Sequence, residues 1–558
     1  MRISISMAIS VSRWLAALVG LGCFAAAPAF AQSGCASATA WSVCDFVFEL
    51  QPGESQSTVQ LKAEFRSPHH KTYLMPAFHD SGNRWVIRFT PTEGGAWEYK
   101  ITSNVKRLDE TSGQFSAGDF DSPGFLHVAN LHHFKTENGK QHLWMSTALD
   151  SFTTMPKTEL DQDIENLASA KFTHVRVKIE PGADLNDVAE RLRAVSAKGL
   201  TADLVMGSIP EDRAEREKYL RDLVARLDAF NITWMGVPAF ENSGRSRQAL
   251  KETGALIKSL DPYQHPRTTL AATTSAPLLN DGWMDLASYG TPDPNVGAVE
   301  HQLYQVPGIN TGIQSDRDLW NATMNGQYPA AGSGKYMTAW FEFMSGNRYW
   351  ELEPYFDVDG GRALALDGVE YIVYVENPGP VELTVEKHGY NVAWIDPATG
   401  ARTKAKDYNG EHFTGEPPDR SHPWVLHVSR ESHKEGMLKS YFFDSRPVPV
   451  QEVELSPAKV PFEIVEPAVS DISLAVQPRF ELKIKRETRG TRTLLAEWTA
   501  EIVEDGEGYR VVGTGKAGTL NIPKSIVKHY PAVLAIRVSV LNAFGKAYIA
   551  DKVYRLNP

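Results

Sequence analysis

The stretch NITWMGVPAFENSG, residues 231–244, is apolar for most of its length and ends by placing a single acid, Glu241. A carboxyl at the end of a buried strand loses part of its water, and desolvation raises its pKa toward the range useful for proton donation. Glu241 is therefore a candidate general acid/base, and Asn242 beside it a candidate substrate-binding amide. The plainer reading is a loop glutamate that caps the next helix near Ser243 and Gly244.

Acid/base work is often shared by a pair of carboxyls whose surroundings set their pKa values apart. Glu300, in VGAVEHQLYQ, is a candidate partner. If that segment is a strand, Glu300 and His301 point to opposite sides and one of them faces the site. If it is a helix with Val296, Val299 and Leu303 inward, Glu300 is a solvated charge. Other chemistries lack their spacing. His132, His133, His301 and the His69-His70-Lys71 run do not form an H-E-x-x-H motif, and DVDGG at 357–361 lacks the remaining positions of a calcium loop. No G-x-S-x-G elbow, G-x-G-x-x-G turn or Walker loop stands in context. No cofactor and no metal is expected.

The elements that would position these groups alternate between strand and helix over residues 131–355. HLWMSTAL, THVRVKI, TADLVMGS and NITWMGVPAF are each followed by an amphipathic helical stretch, and RTTLAATT, MDLASYGT and GINTGI supply further strands. The pattern predicts a central (β/α)8 TIM-type barrel, short for its class at about 225 residues. In such a barrel functional side chains gather at the carboxyl ends of the strands. That rule selects Asp150 after the first strand, Arg176 and Lys178 on the second, Ser208 after the third, and Glu241-Asn242 after the fourth. It also selects Tyr289 on the sixth with Asp293 in the following loop, and Asn310 on the seventh. The run WFEFMSGNRYWELEPYFDVDGG, 340–361, either walls a ring-stacking subsite or forms the last barrel helix and its exit. Residues 35–130, 356–450 and 455–558 alternate like strands and carry Pro, Gly and Asn-Pro-Gly turn signals. They predict three flanking β-sandwich domains, the last of Ig-like or cadherin-like type.

Two motifs carry a family resemblance. RFTPTEGGAWEY, residues 88–99, resembles the R-F-x-P…G-x-W-x-Y pattern of the N-terminal β-sandwich of unknown function that precedes many secreted glycoside-hydrolase-like barrels. WIDPATG, 394–400, resembles the W-x-x-P-x-T-G turn of the C-terminal β domain, collagen-binding-like, that follows apiosidase-like barrels. The resemblance spans about 35–430 and implies hydrolysis of glycosidic bonds in a polysaccharide or oligosaccharide, without a cofactor. It implies an acid/base glutamate at the end of strand four, where Glu241 stands between Phe240 and Asn242 rather than after an Asn. It also implies a nucleophilic glutamate at the end of strand seven, where this chain has Asn310-Thr311, neither able to serve. A retaining enzyme holds its two carboxyls about 5 Å apart and an inverting one about 6.5–9.5 Å apart, so Asp150 and Asp293 also stand as inverting partners. The rival reading is a barrel without its nucleophile that binds carbohydrate or serves as a cell-surface scaffold.

Residues 1–31 have the form of a secretory signal: Arg2 and Arg13, an apolar run, and Ala29-Phe30-Ala31 before Gln32. The Gly20-Leu21-Gly22 before Cys23 fits a lipoprotein signal poorly. A secreted or periplasmic protein follows, with no membrane span in the mature chain. Cys35 and Cys44 would form a local disulfide in that oxidising compartment. The formal charge of −11 becomes −13 without the two signal arginines, which disfavours nucleic acid as a partner.

Overall fold

The computed structural model describes residues 32–54, 59–430, 453–454, 459–487, 494–504 and 506–558. Residues 1–31, read from the sequence as an export signal and containing Cys23, and the end of the 356–450 segment beyond 430, lie outside them. Among the described residues no helix is long and apolar enough to cross a membrane.

Strict alternation builds the N-terminal unit. In LKAEFR every second residue is buried, which is what a strand with one wet face requires. Two four-stranded antiparallel sheets pack face to face around Phe46, Phe65, Phe89 and Trp97, with Phe65 and Phe89 stacked at 4.0 Å. The expected disulfide joins Cys35 to Cys44. The R-F-x-P motif also fastens this unit to the barrel. Arg88 grips the Asp45 carboxylate through Nε and Nη2, at 2.8 and 3.0 Å, and donates through Nη1 to the Arg226 carbonyl. Thr90 donates its hydroxyl to the Ala229 carbonyl at 2.6 Å, and its amide donates to the Tyr263 hydroxyl at 2.8 Å.

The centre is a β/α barrel. Ser146–Leu149, His174–Ile179, Thr201–Met206 and Ile232–Trp234 form a parallel sheet. Its helices bury the apolar stripes that periodicity foretold, including Leu160 and Ile164 on Lys157–Ser169, and Val188, Leu192 and Val195 on Leu185–Ala197. Asp184, Asp212 and Ser246 cap helix N-termini by accepting from backbone amides. The fifth position is reduced. Around Pro266-Arg267 only a single parallel bridge to Trp234 forms, and the helix that should follow is the short 3-10 segment Ala276–Asp281. Pro266 cannot donate to a ladder, which helps to explain the loss. The sixth and seventh strands, Ala287–Tyr289 and Gly308–Asn310, fall within MDLASYGT and GINTGI, and the seventh pairs in parallel with the sixth on one side and with an eighth, Gln327–Pro329, on the other. That eighth strand has no counterpart among the sequence candidates. Arg176 Nη1 reaches from the second strand to the Ala330 carbonyl beyond the eighth, at 2.7 Å, which brings the two ends of the barrel together.

The aromatic run at 340–361 follows its plainer reading. Trp340 lies buried on the last barrel helix, Lys335–Ser345, and Tyr349 and Trp350 join the same core, so none of the three walls a sugar subsite. The β sheets that follow carry the WIDPATG turn. The Asp396 carboxylate accepts from the Ala398 amide and the Thr399 hydroxyl, and Gly400 takes φ +75° with its Cα face close against Ala339. The last unit packs a six-stranded and a three-stranded sheet around Trp498, Leu534 and Ile536.

Candidate functional site

Glu241 sits where expected, on a single 3-10 turn, Phe240–Asn242, just beyond the fourth strand. Both of its carboxylate oxygens are already engaged. Oε2 accepts from the Ala272 amide at 2.7 Å and Oε1 from the Thr273 amide at 3.0 Å. Its carbonyl accepts from Arg510 of the last β unit at 2.6 Å. The Phe240 amide donates to the Leu270 carbonyl at 2.8 Å, completing a brace between the fourth strand and the irregular fifth segment. The geometry is that of a loop staple.

The other expected residues divide between the two sides of the barrel mouth. Asp150, Ser208 and Asn242 are exposed at the ends of the first four strands, beside a half-exposed Lys178–Glu180 ion pair at 2.9 Å. Arg176 points into the barrel. Burial lowers its pKa against the opposing charges of Asp203 and Asp150, and it still serves as a donor. On the other side the last β unit covers the mouth. Asp293 caps helix Pro294–Leu303 through Oδ1, and its Oδ2 accepts from the Thr514 hydroxyl at 3.1 Å. Val511 packs against the cluster that contains Tyr289 and Val296.

Glu300 corrects an expectation. Its segment is the helical alternative, but the side chain is buried, not solvated. Its Oε2 accepts from the Thr274 hydroxyl at 2.6 Å, and Tyr289 and Glu497 of the last β unit lie beside it. Burial pushes Glu300 up to about 7 and Glu497 well above the usual carboxylate range, the latter also through the charge of Glu300. Two facing carboxyls stay together by keeping a proton between them. Tyr289 is likewise buried, and burial with the neighbouring Glu300 raises its hydroxyl far above the usual value. Both residues belong to a domain contact and are shut away from any substrate.

Asn310 is buried and engaged by its neighbours. Its Nδ2 donates to the Gln327 side chain at 2.8 Å and to the Thr291 carbonyl at 3.1 Å, and its Oδ1 accepts from the Gly312 amide at 2.8 Å. His301 lies at the wrong end. Its helix begins beside the carboxyl end of the sixth strand and runs back, so its last turn reaches Gly326, just ahead of the eighth strand.

At that base His301 meets side chains from distant parts of the chain. His301 Nε2 is 2.6 Å and His132 Nδ1 3.1 Å from Glu353 Oε2, and His133 Nε2 is 3.5 Å from Glu353 Oε1. Burial opposes charge on His132, but the Glu353 charge and hydrogen bond outweigh it and raise its pKa. Burial and the charge of His132 push His301 down to about 4, against the pull of Glu353. Burial would raise Glu353, yet the charge of His132 and the hydrogen bonds of His132 and His301 hold it well below its usual value. No local motif could reveal this group, because its members are joined by the fold alone.

Sequence reasoning also missed the polar centre of the barrel. Asp203 Oδ1 accepts from the Thr233 hydroxyl at 2.8 Å and lies 2.7 Å from His174 Nδ1, while Oδ2 accepts from the Ser146 hydroxyl at 2.7 Å. Ser146 bonds the carboxylate rather than the imidazole, so this is a packed network and not a nucleophile relay. The signal was present as polar residues within otherwise apolar strands.

A family model described as a domain of unknown function (DUF5060) matches residues 37–104. No curated protein matches the chain. Among solved structures, a proposed glycoside hydrolase from Bacteroides vulgatus superposes with a TM-score of 0.61 at 15% identity, covering 70% of this chain and 99% of that one. A family 5 glycoside hydrolase from the same species gives 0.49 at 15% identity, covering 59% and 97%. An endo-1,4-β-mannanase from Eisenia fetida gives 0.30 at 14% identity, covering 37% and 88%. The first likeness bears on the fold alone: this is a multidomain chain with an N-terminal β unit, a central β/α barrel and β sheets following.

Proposed function

We propose that this chain is a glycoside-hydrolase-like barrel that binds carbohydrate without cleaving it. Residues 1–31 would direct it out of the cytoplasm, and the β modules on either side would hold it as a secreted or periplasmic scaffold. One observation carries the reading. The acid of the fourth strand spends both carboxylate oxygens on the amides of Ala272 and Thr273, while the seventh strand ends in an asparagine fully bonded to its neighbours. Two-carboxylate hydrolysis needs a free acid and a partner across the scissile bond, and here both oxygens of the one candidate are engaged by the backbone while the partner position holds an amide.

The open side of the mouth, with Asp150, Lys178, Glu180, Ser208 and Asn242, offers the charged and amide groups that hydroxyl-rich ligands use. The WIDPATG turn is seated against Ala339 of the last barrel helix, and we read the pairing of barrel and following β domain as apiosidase-like from the sequence resemblance alone. The test is a panel of plant and bacterial polysaccharides, scored for binding by affinity electrophoresis and for cleavage by reducing ends. Binding without cleavage is the expected outcome. Cleavage that disappears in a folded Glu241→Gln variant overturns the proposal and restores Glu241 as acid/base.

A further inference from the structure

We propose that His132, His133, His301 and Glu353 form a structural site for a divalent transition-metal ion, best suited to Zn2+. The donor set fits: three imidazole nitrogens and one carboxylate are borderline ligands of the kind zinc takes in four-coordinate sites. The ligand atoms of His132, His301 and Glu353 all lie within 4.8 Å of one another. The His–Glu separations of 2.6, 3.1 and 3.5 Å bracket the edge of roughly 3.3 Å that metal–ligand arms of about 2.0–2.2 Å give in a tetrahedron.

Two further observations point to a cation. His133 is 4% exposed, and its Nε2 has no hydrogen-bond partner among the described residues although it is aimed at Glu353. His132 lies between two groups that can only accept, the Tyr304 carbonyl 3.1 Å from Nε2 and the Glu353 carboxylate 3.1 Å from Nδ1. A neutral imidazole satisfies one acceptor with its single N–H, so the other nitrogen must carry a second proton or a metal. A metal at Nδ1 leaves Nε2–H to donate to the Tyr304 carbonyl, the outer contact that orients metal-bound histidines. His133 has the same provision, with its Nδ1 2.7 Å from the Tyr328 hydroxyl.

The location gives the ion a purpose. His132 and His133 stand at the turn of the hairpin Leu126–Ala129/His133–Thr136 under the barrel, His301 on the helix Pro294–Leu303, and Glu353 on the first strand after the barrel. One ion would tie the barrel base to the β domain that follows.

The experiment uses the tag-free mature chain, stripped with a chelator, dialysed and titrated with Zn2+ alone. We expect one Zn2+ per chain by elemental analysis, a dissociation constant tighter than about 1 μM, and a raised melting temperature. Co2+ should give the intense visible absorption of a tetrahedral site. His301→Asn and Glu353→Gln should weaken binding at least ~100-fold, while Tyr328→Phe keeps the ligands and should weaken it about 10–100-fold. The exposed pair His69→Ala/His70→Ala should change nothing. Absence of stoichiometric zinc in the wild type, or equal affinity in a folded His301→Asn or Tyr328→Phe variant, overturns the proposal.

Discussion

The first four strands and the last four solve the same architectural problem differently. The first four form one register-matched parallel sheet whose helices close over an apolar core drawn almost entirely from that half of the barrel. The last four are three-residue strands or a single bridge, with one helix reduced to a 3-10 segment. Their core is borrowed. Ile309, Trp320 and Tyr328 cluster with Leu364, Ile372 and Val425 of the following β sheets, and Ala298 and Val299 pack on Leu541 and Ala547 of the last unit. The family resemblance in the sequence implies one carboxyl from each half, at the ends of strands four and seven. Here the second half is a docking surface, and its titratable groups lie at the contacts between domains.

If the first half is self-sufficient, its heaviest dependence should be on its own buried network. Asp203→Ala strands the His174 imidazole and the hydroxyls of Ser146 and Thr233. Removing the acceptor at the centre of a buried network should cost about 3–5 kcal/mol. The barrel transition in calorimetry should fall sharply, and a loss under about 1 kcal/mol would contradict the importance given to this network.

Glu241→Gln is next in size. A glutamine presents one acceptor and one donor to two amides that both donate, so one N–H loses its partner. We expect a stability loss of about 1.5–3 kcal/mol and faster hydrogen exchange at Ala272 and Thr273, with glycan binding kept. Unchanged exchange at those two amides would mean that the staple is not what holds the loop.

The docking contact of the second half should respond to pH. The folded pKa of Glu497 is raised by burial and by Glu300. A carboxyl raised on folding contributes its full stability below its unfolded value, about 4.3, and loses it as pH rises through the folded value. The last unit should therefore hold the barrel less tightly as pH climbs from about 4 toward neutrality and beyond. Glu497→Gln cannot ionise. It should flatten that dependence and strengthen docking above neutral pH by about 1–3 kcal/mol. Limited proteolysis across pH reads this directly, and an equally steep profile in the variant would remove the carboxyl pair as its cause.

How much of this was legible depended on how local the signal was. The regular helices of the first half were readable from Leu160, Ile164, Val188 and Leu192, because a 3.6-residue stripe against water is a local property. The eighth strand was not. Gln327-Tyr328-Pro329 is three residues long and buried on both sides, so it has no wet face to make a period. Glu241 was found at its predicted place, but its bonds to Ala272 and Thr273 come from a loop some thirty residues later whose path no pattern specifies. Glu300 was misread because its helix packs against the last β unit, whose Glu497 lies 197 positions away. His132, His133 and Glu353 meet for the same non-local reason.

The smallest expected effect probes the side of the mouth that remains open. Asn242 is exposed beside the Glu241 staple, and its side chain braces no element among the described residues. Asn242→Ala should therefore change stability by less than about 0.5 kcal/mol. A hydroxyl-rich ligand held there would lose an amide that both donates and accepts, so its affinity should fall about 5-fold to 10-fold, on the scale of one hydrogen bond. The same substitution then separates the two sides of the barrel. Ligand contact at the open side predicts weaker binding with the melting temperature unmoved. Binding at the covered side would require the last unit to lift away, so affinity would follow Glu497→Gln and ignore Asn242 altogether.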